Sequence, residues 1–200
     1  MSRTVPSWLA DPVAIIVGDG PGVEAVAHEL AAAGATITRG PIADSRERAS
    51  QAITEASAAA TDPVTILVHA GGPFSMGNEI LADPAIWRRD LNRHLDSPFF
   101  YASEIARSLH AGGLTGSILF LSAPEDGDGA AQAAAVGGLA NLTKTLAVEW
   151  ARDGIRVNMI KSHVMDRGTK DQLRSLGALA AYLVSDYAAY VTGSITGTDD

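Results

Sequence analysis

The chain has 200 residues, 46% of them hydrophobic and 19% charged, which suffices for one domain with its own apolar core. It has no cysteine, so a disulfide framework, a thiolate nucleophile and a Cys-ligated zinc site are excluded. A net charge of -8 and a pI near 5.0 have the wrong sign for a general phosphate-binding surface, and no apolar run approaches the ~20 residues of a membrane span. The opening residues, to Pro12, are polar and proline-broken, with no signal-peptide core. The expectation is a cytoplasmic protein with no nucleic-acid and no membrane partner.

Apolar runs alternate with Ala-rich helical patterns, the sequence form of an α/β parallel sheet. Residues 13–17 form a continuous apolar run, as in a strand covered on both faces. A glycine turn, Gly18-Asp19-Gly20-Pro21-Gly22, leads into a helix to about Ala33, with Val23, Val26, Ala27 and Leu30 on its buried face. Gly34 ends that helix, residues 35–38 read as a short strand, and residues 45–60 as a helix capped by Asp44. Residues 64–68 give the next central strand. Helix 84–96 is expected to continue past Pro98 to His110 with a kink or restart. Strand 118–121, the long helix 130–152, strand 155–160, helix 171–187 and a final edge strand within 191–200 complete the chain. No repeat or linker divides it, so residues 1–200 read as a single domain.

A glycine turn between a buried strand and a helix is where a dinucleotide pyrophosphate can sit, because glycines admit close approach and the helix N-terminus offers free N–H groups. Gly18, Gly20 and Gly22 are so placed. A tight strand-to-helix turn with no ligand is the competing reading. Glu24, in the first turn, suits the helix dipole itself and is expected to compete with an anion for the same N–H groups.

Several segments together resemble the short-chain dehydrogenase/reductase family. VAIIVGDGPGVEAVAHELAAAGATI (residues 13–37) resembles its first βαβ unit, ILVHAGG (66–72) the strand usually ending Asn-Asn-Ala-Gly, and Asp90-Leu91-Asn92 the helix carrying the catalytic Asn. GSILFLS (116–122) resembles the strand ending in the catalytic Ser, LANLTKTLAVEWARDGIRVN (139–158) the long helix and next strand, and SDYAAYVTG (185–193) the C-terminal segment. The resemblance implies a Rossmann-like, doubly wound, mostly parallel sheet. It is a shortened one: the adenine-side helix and edge strand have room only in residues 39–44, and the substrate lid only in residues 162–171.

In that family a Tyr acid/base stands four residues before a Lys that lowers its pKa, a Ser polarises the substrate carbonyl, and an Asn supports a proton relay. Counting back from Lys144, the Tyr position falls on Gln132 and the Lys position on Val136. Gln cannot ionise, and Val can neither donate nor carry charge. Losing a general acid alone costs ~10²–10⁴ in rate. Ser122 (or, one register on, Ala123) and Asn92 remain as vestigial positions. Tyr101, Tyr182, Tyr187 and Tyr190 sit in helical patterns among apolar neighbours and read as core or interface. In the glycine pattern Glu24 stands where the third Gly belongs. Arg39 could meet a 2′-phosphate but reads as a solvated surface residue; His69 reads as a hydrogen-bonded packing residue. Lys161-Ser162 replaces the usual Pro-Gly.

Other chemistries find no support. The five His have no metal-ligand spacing, no Gly-x-Ser-x-Gly elbow occurs, and the acidic loop Glu125, Asp126, Asp128 reads as solvated. The expectation is therefore a chain with no catalytic residues, no metal and no cofactor of its own, only vestigial Gly18, Gly20 and Gly22. It would pair with an active family member, as the silent chain does in some hydroxyacyl-CoA dehydrogenases. Helix 130–152, with Ala131, Ala134, Ala135, Gly137 and Gly138, is expected to form the interface, and helix 171–187, with Leu176, Leu179, Leu183 and Tyr187, a second one. The alternatives are a divergent active reductase using NAD or NADP with Ser122, Asn92 and a displaced acid, and a homo-oligomeric protein binding a small ligand in the vestigial cleft.

Overall fold

The computed structural model describes residues 9–74, 83–124 and 129–198. The acidic loop read at 125–128 lies outside them. Strand β1 (Val13–Val17) has every residue buried, as its unbroken apolar run requires. Helix α1 (Pro21–Ala32) starts on a proline at its first position, where a missing N–H costs nothing, and stops before Gly34 at φ 113°. Strand β2 (Thr36–Gly40) and helix α2 (Arg46–Ala60) follow. The cap of α2 is Ser45, not Asp44: the Ser45 hydroxyl accepts from the Arg48 N–H at 3.3 Å.

Strand β3 (Val64–Ala70) runs to Gly71. Helix α3 (Pro84–Leu91) then passes through a five-residue π-turn, Asn92–Asp96, into α4 (Ser97–Gly112). The cause is Pro98, which has no N–H and whose ring would press on the carbonyl four residues back. The chain widens just before it, and the Ser97 N–H reaches the Asn92 carbonyl. The expected kink is thus a widened turn rather than a break. Strand β4 (Gly116–Ser122), helix α5 (Ala130–Trp150) and strand β5 (Ile155–Ser162) follow. Next come the one-turn helix α6 (Val164–Arg167), helix α7 (Lys170–Val184) with a Thr169–Gln172 capping box, and edge strand β6 (Ile195–Thr198).

The sheet order is β2-β1-β3-β4-β5-β6, with every pairing parallel. The order reverses at β1, so a crevice opens outside the carboxyl ends of β1 and β3. Alternate residues feed two cores. Ile15, Val17, Leu67, Phe120 and Met159 pack with α2, α4 and α5. Ala14, Ile16, Val68, Leu121 and Ile160 pack with α1, α6 and α7. Large side chains such as Leu30, Ile105 and Leu109 are wholly buried, each contributing about 1.5–3 kcal/mol.

Two expectations about helix surfaces are corrected. Leu176 and Leu183 are 1% and 3% exposed, so that stripe of α7 serves the chain's own core. It lies on α1 so closely that a Cβ on Gly177 would stand 2.8 Å from the Ala25 carbonyl oxygen. On α5, Ala131 and Ala135 are fully buried, leaving Ala134 and Gly137 on the outer face with Gly138 half-buried.

Candidate functional site

The glycine turn uses its missing side chains mainly for packing. Gly18 has φ 105°, and a Cβ there would fall 2.3 Å from the Ala70 carbonyl oxygen at the end of β3. A Cβ on Gly22 would fall 2.9 Å from the Cα and carbonyl oxygen of Met165, because α6 seats directly on the first turn of α1. Gly20 alone faces open space: at φ 107°, its Cβ would meet only Asp166 Oδ1, at 3.6 Å. No side chain caps α1. The Glu24 carboxylate does not turn to the N–H groups as expected. It accepts from Arg39 at 2.8 Å, so Arg39 is paired rather than merely solvated.

The positions that the sequence suggested for proton transfer lie on β4, α5 and the π-turn. Gln132, in the first turn of α5, donates its amide N–H to the Pro124 carbonyl at 2.7 Å and so staples the helix to the segment after β4. Val136, one turn on, has no exposed surface and belongs to the core. Ser122 ends β4, is 5% exposed, and its Oγ is buried without a hydrogen-bond partner. Asn92 opens the π-turn, half-buried, and its carbonyl closes that turn. Tyr101 is buried, donates to the Pro41 carbonyl at 2.8 Å, and burial pushes its phenol up to about 12. Tyr182, Tyr187 and Tyr190 point to the surface, Tyr190 from a turn outside any helix.

Two histidines line the region between β3 and α4. His69 Nε2 lies 2.8 Å from Ser97 Oγ, which also accepts the Ala43 N–H at 3.0 Å. Either atom can supply the proton of that bond according to the ring tautomer, and His69 is the hydrogen-bonded packing residue expected; burial lowers its pKa to about 3, with His94 adding to the shift. His94 went unnoticed in the sequence. Its ring stacks on Phe74, with centroids 3.6 Å apart and planes at 13°, and covers Gly71, where a Cβ would fall 2.2 Å from Nδ1. Burial lowers its pKa to about 4 against the pull of Asp90. The signal available was the Gly71-Gly72 pair, which marks backbone that something must approach closely. Beside it, Arg93 donates to the Gly71 carbonyl at 2.9 Å.

Six parallel strands reversing at β1, helices on both faces and a glycine turn at the reversal define a Rossmann-like, doubly wound α/β protein. Residues 13–175 match the family model described as enoyl-(acyl carrier protein) reductase. The chain belongs to the short-chain dehydrogenase/reductase family. It is 28% identical to cis-4-hydroxycyclohexanecarboxylate dehydrogenase of Sinomonas cyclohexanicum, over 95% of this chain and 96% of that one. It is 26% identical to galactitol 2-dehydrogenase (L-tagatose-forming) of Cereibacter sphaeroides, over 88% of this chain and 79% of that one. A crystal structure of a short-chain dehydrogenase from Mycobacterium smegmatis superposes with a TM-score of 0.85 at 19% identity, covering 100% of this chain and 97% of that one.

The family normally uses NAD or NADP. At this crevice two of the three turn glycines lie against the chain's own backbone, Arg39 is held by Glu24, and β2 is an edge strand of the sheet among the described residues. A cavity of about 840 Å³ lies at the opposite end of the sheet, lined by Thr65, Ser117, Arg156 and Tyr190, away from the glycine turn. Among the described residues no cluster of His, Asp and Glu could hold a metal, and no helix is long and apolar enough to cross a membrane.

Proposed function

We propose that this chain is a non-catalytic member of the short-chain dehydrogenase/reductase family that pairs with an active member and stabilises or shapes its partner's substrate site. The single observation that carries the reading is the pair Gln132 and Val136. An amide bound to the Pro124 carbonyl and a buried isopropyl group stand where the acid/base and its activating ammonium belong. The outer face of α5 supports pairing. Ala133, Ala134, Gly137, Asn141 and Val148 are exposed, and only Lys144 and Glu149 add charge, so a second helix can approach closely. Relatives named as dehydrogenases of a sugar alcohol and of a hydroxylated ring acid support a partner that oxidises secondary alcohols. Hydroxyacyl-CoA dehydrogenation is one such reaction.

The test is co-expression with an intact family member encoded beside this chain, followed by native mass measurement and turnover of the purified species. A mixed oligomer whose activity resides in the partner is expected. Only homo-oligomers, binding a small ligand or none, would contradict it. The unpartnered Ser122 hydroxyl favours one competing reading, a divergent reductase working with Asn92 and NAD or NADP. Turnover by the isolated chain, lost in Ser122→Ala, distinguishes it.

A further inference from the structure

We infer that two of the chain's own carboxylates stand in for dinucleotide phosphates, Asp166 before Gly20 and Glu24 on Arg39, and that these charges keep the crevice closed to nicotinamide dinucleotides. Gly20 begins α1 with no side-chain cap, so the positive end of the helix dipole is left to whatever anion lies in front of it. Asp166 Oδ1 lies 3.6 Å from a Cβ built on Gly20, and apart from the neighbouring residues of the turn no other described atom comes within 4 Å of that position. Helix α6 brings exposed Asp166 beside the turn, because the Met165 backbone occupies the gap left by Gly22. At the end of β2 the Arg39 guanidinium donates to the Glu24 carboxylate at 2.8 Å. Asp19, in the turn itself, adds a third carboxylate, while Arg93 donates to the Gly71 carbonyl at 2.9 Å. An incoming diphosphate would thus face like charge at the helix end and a neutralised arginine beside it.

This inference deepens the reading of a silent subunit yet can fail without it. A chain that bound NADPH but transferred no hydride would overturn the closure and leave the silent role standing. The test titrates NADPH into the wild-type protein and into Glu24→Gln/Asp166→Asn at low ionic strength, by calorimetry or nucleotide fluorescence. No saturable binding is expected for the wild type up to about 1 mM. The double variant should bind about tenfold or more tighter than that limit, with the gain shrinking as salt is added. Asp166→Asn alone preserves shape and should give part of the gain, so the inference stays testable if the double variant folds poorly. Wild-type binding in the micromolar range, or variants that bind no better than wild type, would overturn it.

Discussion

Replacing Gly18 by alanine asks whether the glycine turn is kept for packing or for a ligand, and Gly20→Ala is its internal control. Both residues have nearly the same backbone, φ 105° and 107°, so both variants carry the cost of an L side chain in a region it rarely adopts, about 1–3 kcal/mol. They differ in space. At Gly18 the new methyl would lie 2.3 Å from the Ala70 carbonyl oxygen and 3.2 Å from Ala70 Cβ, and the ends of β1 and β3 must spread to admit it. That overpacking adds about 1–3 kcal/mol. At Gly20 the nearest atom is at 3.6 Å and nothing need move. For a 200-residue domain each kcal/mol shifts Tm by about 2–4 °C, so Gly18→Ala should melt roughly 2–12 °C below Gly20→Ala with no ligand present. Thermal denaturation by circular dichroism measures the gap. Equal melting temperatures would refute the packing argument.

Two further expectations rest on the same geometry. Val136→Lys restores the family's ammonium in a position with no exposed surface, so the charge is buried without a partner; the loss in chemical denaturation should exceed about 3 kcal/mol, and a near-wild-type midpoint would show the site to be open. The buried histidines set a pH dependence. His94 and His69 are held near 4 and 3 in the fold against 6.5 unfolded, so below neutrality the unfolded chain binds more protons. Their contribution to stability is complete above pH 6.5 and is lost as pH falls, with a slope approaching about 1.4 kcal/mol per pH unit for each. Urea midpoints measured from neutrality to about pH 5 should fall accordingly and flatten in His69→Asn; unchanged midpoints would contradict the burial.

Most of the architecture was legible because its signals are local. The unbroken run at β1, the apolar spacing of α1 and the alternation of strand with helix each follow from burial on one or two faces. The chemistry of Gln132 and Val136 was legible because identity alone decides whether either side chain can carry a proton. What could not be read was non-local. Nothing near Gly22 in the chain announces that Met165, more than 140 residues later, will fill its space. Nothing near Arg39 announces Glu24 as its partner, because the helix dipole alone suggested another role for that carboxylate. The inner face of α7 reads from sequence as any apolar stripe; only the seat of Gly177 on α1 assigns Leu176 and Leu183 to the core. His94 was hidden for the same reason, since its partners Gly71 and Phe74 reach it through tertiary packing against a π-turn.

The most direct measurement is turnover by the purified chain alone, following reduced nicotinamide with either cofactor across a panel of ketones and secondary alcohols. On the proposed reading, in which Gln132 and Val136 occupy the family's proton-handling positions, no reaction above background is expected, while addition of an active family partner should give hydride transfer. Steady turnover by the isolated protein, removed by Ser122→Ala and insensitive to any partner, would contradict the account.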